Sequence, residues 1–210
     1  GLETFAGKKY HTGQWPHEGV DFSGKRVAVI GTGSSGVQSI PIIAEQATHL
    51  YVFQRTPNYS IPANNGQLDP AEEQRIKAEY PAFRARNKLN PGGISFPVNP
   101  RSALEASPEE LDQEFGRRWR QGGFAFNRAF NDLMVDRKAN DTGAEYVRAK
   151  IRQVVKDPAV AELLSPHQVL GCKRLCLDSG YYETFNRPNV TLVDISEHPI
   201  DELTPNGVRV

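Results

Sequence analysis

A glycine-rich stretch gives the clearest chemical signal in the sequence. It follows an apolar run at residues 25–30 and opens a helical pattern at residues 34–46. In that context the first glycine of G-x-G-x-x-G permits a tight turn, the second lets the backbone approach a pyrophosphate, and the third allows helix–strand packing. The helix adds free N–H groups that bind anions. The motif, which predicts a dinucleotide site rather than a simple turn, consists of Gly31, Thr32, Gly33, Ser34, Ser35 and Gly36.

The end of the next apolar run, residues 49–53, carries the residues that would select between nicotinamide cofactors. An NAD site places Asp or Glu there to bind the ribose 2′-hydroxyl. This chain has Gln54, Arg55 and Thr56 instead. Arg55 is a planar cation suited to a 2′-phosphate, and no carboxylate competes with it. The sequence therefore favours NADPH over NADH, with a solvated surface arginine as the alternative interpretation.

Near the start of the chain, glycine, imidazole and indole groups are clustered. Phe5, Gly7, His11, Trp15 and Pro16 fit the spacing F-x-G-x-x-x-H-x-x-x-W-P. Residue types alone predict only a loop in which the two aromatic rings pack and the imidazole is hydrogen-bonded. No chemical role follows from them.

This twelve-residue pattern, followed by the glycine motif, resembles the fingerprint of Baeyer–Villiger monooxygenases. The likeness extends along the whole chain and is greatest to the phenylacetone and steroid monooxygenase branch. It is carried by residues 29–46, 52–63 and 171–190 together with the charged middle of the chain. The resemblance implies an enzyme that uses FAD, NADPH and O2 to convert a ketone to an ester or lactone.

The resemblance also implies roles for individual residues. Arg174 matches an arginine that lies near the flavin and stabilises the anionic peroxyflavin. Lys173, with Arg55 and Thr56, matches residues that hold the 2′-phosphate, and Gln38 lies in the matched cofactor-binding stretch. The fingerprint residues would belong to a linker that supports conformational change. Independently of the family, a permanently charged arginine would stabilise an anion beside it. A Lys-Arg pair such as Lys173-Arg174 is, however, more often a feature of the protein surface.

Two segments of that family are missing from these 210 residues. They are an earlier G-x-G-x-x-G that holds FAD and a later A-T-G segment. We therefore expect the chain to be the NADPH-binding part of a larger enzyme and to be inactive in oxygenation by itself. A stand-alone NADP-binding module without catalysis is one alternative. A flavin monooxygenase that oxygenates nitrogen or sulfur is another, although its fingerprint has Tyr or Phe in place of Trp15-Pro16.

A third enzyme class is suggested by a single pair of residues. Tyr146 and Lys150 fit the Y-x-x-x-K pattern of short-chain dehydrogenases and would share one face of a helix. However, residues 134–145 contain no serine, and the nucleotide motif differs. A short-chain dehydrogenase is therefore disfavoured.

The pattern of elements predicts an α/β fold, a Rossmann-like parallel sheet with an α-helical insertion. Strands are expected at 25–30, 49–53 and 190–193, the first of a type buried in parallel sheets, with a hairpin in 200–210 turning at Asn206-Gly207. Helices are expected at 34–46, kinked by Pro41, and at 70–86, 108–121 and 144–155, with a loop at 88–101. We predict a linker at 1–23, a nucleotide-binding domain at 24–66 and 166–210, and an insertion at 67–165 that holds 31 of the 50 charged residues.

Composition excludes several other functions. The 25 basic and 25 acidic residues balance, so no overall field attracts nucleic acid or an anionic membrane. No apolar run approaches the roughly 20 residues that span a bilayer, and no signal peptide precedes the fingerprint. Cys172 and Cys176 alone make neither a disulfide framework nor a metal site, so reduced thiols and a cytoplasmic location are expected.

Overall fold

A computed structural model describes residues 1–90, 93 and 96–210 of the chain. Within these residues helices and strands alternate at both ends of the chain, and helices fill its middle. The strands are β1 (Arg26–Ile30), β2 (His49–Gln54), β3 (Ser60–Pro62), β4 (Cys176–Asp178), β5 (Val190–Asp194), β6 (Glu202–Thr204) and β7 (Gly207–Arg209). The helices are α1 (Ser34–Gln46), α2 (Pro70–Ala78), α3 (Tyr80–Lys88), α4 (Pro108–Gln121), α5 (Arg137–Val154), α6 (Pro158–Leu164) and α7 (Tyr181–Thr184).

A three-stranded parallel sheet in the order β1-β2-β5 forms the framework. Ile30 is paired with Phe53, so the carboxyl ends of β1 and β2 meet at one edge. Helix α1 buries Val37 and Ile40 completely, and β2 contributes the fully buried Leu50 and Val52 to the same apolar cluster. The expected Rossmann-like βαβ arrangement is confirmed.

Strand β1 differs from its expected burial. Arg26, Ala28 and Ile30 are exposed, whereas Val27 and Val29 are only half-buried. The alternation arises because β1 is an edge strand of the described sheet and only the valine side faces the core cluster. A short β-branched run cannot distinguish a central strand from an edge strand.

A second parallel pair, β3 with β4, was not expected from the sequence. It aligns Ser60 with Cys176, and the Ser60 hydroxyl donates to a carboxylate oxygen of Asp178 at 2.5 Å. The C-terminal hairpin was expected, but its turn lies one residue earlier, because Gly207 already pairs with Thr204 as the first residue of β7.

In the described part of residues 67–165, the predicted insertion, four helices begin at capping side chains that periodicity did not reveal. The helix expected over 70–86 is two helices, α2 and α3, because Pro81 has no N–H with which to continue α2. Helix α4 has the expected bounds. Helix α5 begins seven residues earlier than expected, since the Asp136 carboxylate accepts the N–H groups of Lys138 and Ala139. Asp157 caps the additional helix α6.

Part of the expected loop over 88–101 falls at positions 91, 92, 94 and 95, which lie outside the described residues. Its last part, residues 96–101, is irregular. Helix α1 continues through Pro41 from Ser34 to Gln46. Across the described part of the chain, no helix is long and apolar enough to cross a membrane.

Aromatic packing fills the insertion. The ring of Phe115 stacks on Phe126 with centroids 5.4 Å apart and also contacts Phe130 and Tyr146. These rings belong to the same apolar cluster as the residues of α1 and β2. The insertion therefore shares a core with the sheet.

The third glycine of the motif carries a stability prediction. A Cβ on Gly36 would lie 2.3 Å from the carbonyl oxygen of Gly31, a backbone atom that cannot rotate away. We expect Gly36→Ala to lower the free energy of unfolding by about 1–3 kcal/mol. Gly66→Ala is the matched control because a Cβ there meets no atom within 4 Å. Urea unfolding followed by circular dichroism measures both, and equal midpoints for the two variants would contradict the close approach.

Candidate functional site

The glycine loop joins β1 to α1 at the carboxyl edge of the sheet. Gly31 has φ +102°, a conformation that side chains disfavour, and its N–H donates to the Phe53 carbonyl at 2.9 Å. Helix α1 then begins at Ser34, and Gly33 at its N-cap has no side chain with which to cap the first turn. The N–H groups of that turn are thus available to an anion.

Two of the three glycines of the motif are required by the fold, each for a different reason. Gly31 is required by its positive φ, and Gly36 by its approach to the Gly31 carbonyl. A Cβ on Gly33 would meet no atom within 4 Å, so the fold itself does not require a glycine there. Its use in bringing the backbone close to a pyrophosphate stays a prediction.

The side chain of Thr32 turns inward and joins the loop to the end of β2. It is 4% exposed, and its hydroxyl lies 3.5 Å from Oε1 of Gln54 and 3.4 Å from the Thr56 carbonyl. The Asn58 amide donates to the Thr32 carbonyl at 2.8 Å. Gln54 is itself buried and donates to the Leu163 carbonyl of α6 at 2.7 Å. The glycine loop is therefore held by both the second strand and the insertion.

A cleft of about 320 Å³ opens beside this loop. It gathers segments more than 100 residues apart in sequence: the glycine loop, the stretch after β2, the loop before β4 and the end of β5. None of its described lining residues is acidic, and two of them, Arg55 and Lys173, are cations. The lining consists of Ile30, Gly31, Thr32, Gly33, Phe53, Arg55, Thr56, Asn58, Lys173 and Ile195.

Other residues that the sequence assigned to the cofactor lie outside this lining. The Ser34 hydroxyl is 3.6 Å from the Cys176 sulfur, and the Gln38 amide donates to the Leu177 carbonyl at 3.2 Å. Ser35 is exposed, whereas Gly36 packs against Gly31. Arg174 is exposed and does not line the cleft, although it follows Lys173 directly. Its catalytic role stays a prediction.

The fingerprint residues lie away from the cleft. His11 accepts the N–H of Gly13 at 3.1 Å, and Trp15, 39% exposed, has its ring 6.2 Å from that of Phe22. Phe5 is half-buried, with its ring beside Gly7. Pro16 accepts a turn hydrogen bond through its carbonyl from the N–H of Gly19. These contacts form a local loop, and the role of the segment as a linker stays a prediction.

Two polar residues of the site were not among the predicted site residues. Gln54 connects the glycine loop to α6, and Asn58 lines the cleft with a buried Oδ1 atom that has no hydrogen-bond partner among the described residues. Their only sequence signal is position, since both follow the last apolar residue of a strand that ends at the expected nucleotide edge. An unpartnered buried acceptor is costly, and a ligand hydroxyl or amino group would satisfy it.

Behind the loop, burial favours the neutral forms of one thiol and two phenols. Burial raises the pKa of the Cys176 thiol, an effect opposed by the Ser34 hydrogen bond and the charge of Arg174. Burial likewise raises the pKa of Tyr181 and of Tyr182, whose hydroxyl accepts the N–H of Ser60. The fixed charges at the cleft are therefore its two cations.

The residues of the dehydrogenase-like pair lie elsewhere. The Tyr146 ring packs against Phe115 within the insertion, and the Lys150 ammonium lies 5.2 Å from the centre of that ring. Neither residue lines the cleft. The arrangement is a packed cation–aromatic contact rather than an acid–base pair at a nucleotide.

Comparison of the amino-acid sequence with known proteins finds similar monooxygenases. No protein-family model matches the chain. A "Baeyer-Villiger monooxygenase" of Pseudooceanicola batsensis is 44% identical over 213 residues, which cover all of this chain and 38% of that protein. A "Phenazine N-monooxygenase PhzNO1" of Lysobacter antibioticus is 40% identical over 210 residues, covering 99% of this chain and 38% of that protein.

Structural comparison agrees along the entire chain. A steroid monooxygenase bound to NADP superposes with a TM-score of 0.94 at 53% identity, and a structure described as OTEMO with FAD and NADP superposes with 0.95 at 42% identity. The chain is a homologue of Baeyer–Villiger monooxygenases. Each superposition includes 100% of this chain and 40% of the other chain. The chain therefore spans less than half the length of the proteins that it matches.

The buried thiol beneath the glycine loop gives a prediction for this homologue of Baeyer–Villiger monooxygenases. Cys172 is exposed, whereas Cys176 is buried with a raised pKa, so less of its reactive thiolate forms at a given pH. Under native conditions at pH 8 we expect iodoacetamide to modify Cys172 at least about tenfold faster than Cys176. Peptide mass spectrometry over time measures both sites, with the urea-unfolded chain as control. Equal rates in the folded chain would refute the placement of Cys176.

Proposed function

We propose that this chain is the NADPH-binding part of a flavin-dependent Baeyer–Villiger monooxygenase that converts ketones to esters or lactones with O2. One observation carries the proposal. Arg55, Thr56 and Lys173 line the same cleft as the glycine loop, although Lys173 is more than 100 residues away in sequence from the other two. A cleft with a helix N-terminus and two cations suits a nucleotide that carries both a pyrophosphate and a 2′-phosphate.

The described residues fit NADPH in three respects. The uncapped first turn of α1 offers N–H groups to the pyrophosphate. Arg55 presents a planar fork of donors and Lys173 a point charge, which together neutralise a dianionic 2′-phosphate. The unpartnered Oδ1 of Asn58 accepts a hydrogen bond from a hydroxyl or amino group of the nucleotide. When bound, NADPH supplies the hydride that reduces the flavin.

We assign FAD to parts of the enzyme beyond this segment. The single G-x-G-x-x-G motif in the 210 residues is already used by the proposed NADPH site. The FAD- and NADP-containing structure matched by the chain is 2.5 times longer, since the chain covers 40% of it. The isolated chain is therefore expected to bind NADPH but not to oxygenate a ketone.

Arg174 is proposed to act toward the flavin rather than toward the 2′-phosphate. It is exposed and lies outside the lining of the cleft, next to a residue that is part of the lining. A guanidinium keeps its charge and offers fixed donors, so it stabilises an anion that develops beside it. A lysine at this position could lose its proton instead.

The domain boundaries are part of the same proposal. Residues 24–66 and 166–210 would form the nucleotide-binding domain, residues 67–165 the insertion, and residues 1–23 the linker to the flavin-binding part. The partly exposed Trp15, resting on Phe22, offers an indole surface to such a neighbour. The exposed thiol of Cys172 suits a reducing compartment, in accord with a cytoplasmic enzyme.

Oxygenation of nitrogen is a second candidate. It is favoured by the 40% identity to a phenazine N-monooxygenase over 99% of this chain, close to the 44% shared with a Baeyer–Villiger monooxygenase. Both candidates use the same proposed NADPH site, so they differ only in the oxygenated substrate. Product analysis of the complete enzyme with a cyclic ketone and with a phenazine separates them.

The proposed cofactor site is tested by calorimetric titration of the chain with NADPH and NADH. We expect Arg55→Ala and Lys173→Ala each to weaken NADPH binding by about tenfold or more, because each removes a charge-assisted contact. NADH binding should change little, since it lacks the 2′-phosphate. Arg26→Ala is the matched control, as Arg26 is exposed at the opposite end of β1. Equal affinity of the unaltered chain for NADPH and NADH would overturn the proposal.

A further inference from the structure

The loop that carries Lys173 is fixed by a turn just before it. The N–H of Cys172 donates to the Val169 carbonyl at 3.1 Å, and Gly171, the third residue of the turn, has φ +87°. A positive φ at this position is typical of a type II turn. The second residue, Leu170, is 1% exposed, so its backbone polar groups need protein partners.

Asn140 of helix α5 supplies both partners. Its Oδ1 accepts the N–H of Leu170 at 2.9 Å, and its Nδ2 donates to the Leu170 carbonyl at 2.9 Å. The same Nδ2 donates to the Leu133 carbonyl at 2.9 Å, so the amide also ties the turn to the segment that precedes α5. Asn140 is 3% exposed, and all three hydrogen bonds are buried.

The same loop is also attached to the other side of the proposed phosphate site. The Tyr59 hydroxyl lies 2.9 Å from the Gln168 carbonyl, and the Gln168 amide donates to the Pro57 carbonyl at 2.8 Å. Arg148 of α5 donates to the Pro166 carbonyl at 3.1 Å. Residues 166–170 are thus held between helix α5 and the stretch that follows Arg55 and Thr56.

We propose that Asn140 is a positioning residue for Lys173, and that the helical insertion thereby contributes to the preference for NADPH over NADH. This inference rests on the proposed NADPH site. Lys173 is exposed, whereas the turn before it is buried and held at both backbone groups of Leu170. The position of the ammonium therefore depends on the Asn140 amide. The three side-chain hydrogen bonds of Asn140 go to Leu133 and Leu170, which are not among the described lining residues of the cleft, so Asn140 acts through the loop.

The test compares two asparagines of the same kind. Asn186 also accepts a backbone N–H from Lys156 and donates to the backbone carbonyl of Val154, each at 2.8 Å. These partners are at the opposite end of α5 from Asn140. We expect Asn140→Ala to reduce the ratio of NADPH to NADH affinity by about fivefold to tenfold, since a charge-assisted contact is lost. Asn186→Ala should lower stability without changing this ratio.

Two further measurements separate positioning from general destabilisation. In the Lys173→Ala background, Asn140→Ala should change the ratio no further, because both substitutions remove the same contact. Hydrogen exchange at the Leu170 amide should become faster in Asn140→Ala and stay unchanged in Asn186→Ala. If Asn140→Ala does not fold, Gly171→Ala provides the same test, since it strains the turn at φ +87° and leaves the asparagine in place.

The possible outcomes distinguish this inference from the proposed function. If the unaltered chain does not prefer NADPH, the proposed cofactor site is wrong and this inference falls with it. If the chain prefers NADPH and exchange at Leu170 becomes faster in Asn140→Ala while the affinity ratio stays the same, the cofactor site stands and the role of Asn140 is refuted. A further fall in the ratio when Asn140→Ala is added to the Lys173→Ala background would also refute it.

Discussion

The buried hydrogen bonds of Gln54 and Thr32 are the constraint on which the cleft depends. Gln54 is 2% exposed at the end of β2, and its amide reaches the Leu163 carbonyl in α6 while its Oε1 faces the Thr32 hydroxyl. The backbone carbonyl of Gln54 accepts the N–H of Ile195, the residue after β5. The side chain and backbone of this one residue therefore join the glycine loop, two strands and the insertion. Because an unpaired buried amide is costly, these elements keep one arrangement.

The elements that sequence patterns predicted well are those whose causes are local. The expected bounds are correct within one residue for β2, α1 and α4. The signals are local in each case: an apolar run for β2, a glycine turn before α1, and a capping box at Ser107 for α4. The start of α5 was missed because Asp136 caps it seven residues before the apolar stripe becomes clear. The pairing of β3 with β4 was missed because three-residue strands 116 positions apart carry no local signal.

The site shows the same division. Arg55, Gly31 and Gly33, which line the cleft, could be predicted because a known geometry places them at fixed positions after two strands. Lys173 was found only through family resemblance, since nothing in its own neighbourhood distinguishes it from a surface lysine. Gln54 and Asn58 were missed as site residues, because polar residues at a strand end are common and only the packed structure shows which of them are buried.

The insertion illustrates how charged composition can mislead about the role of a segment. Several of its ionic residues form exposed pairs along helices, such as Arg75 with Glu72, and such pairs contribute little. Its structural influence comes instead from a few buried polar groups that bind backbone. Arg118, 3% exposed, donates to the Pro97 and Arg128 carbonyls, and Asn140 holds Leu170.

Lys173 and Arg174 are adjacent in sequence, yet only the first lines the cleft. Arg174 is exposed outside the lining, so this one short stretch can present a cation to each of two ligands. Any shift of the turn at Gly171 would then move both cations together. If the proposed assignments hold, the buried anchor at Leu170 links the nucleotide site to the arginine proposed to act toward the flavin, and a helix without cleft residues then influences both.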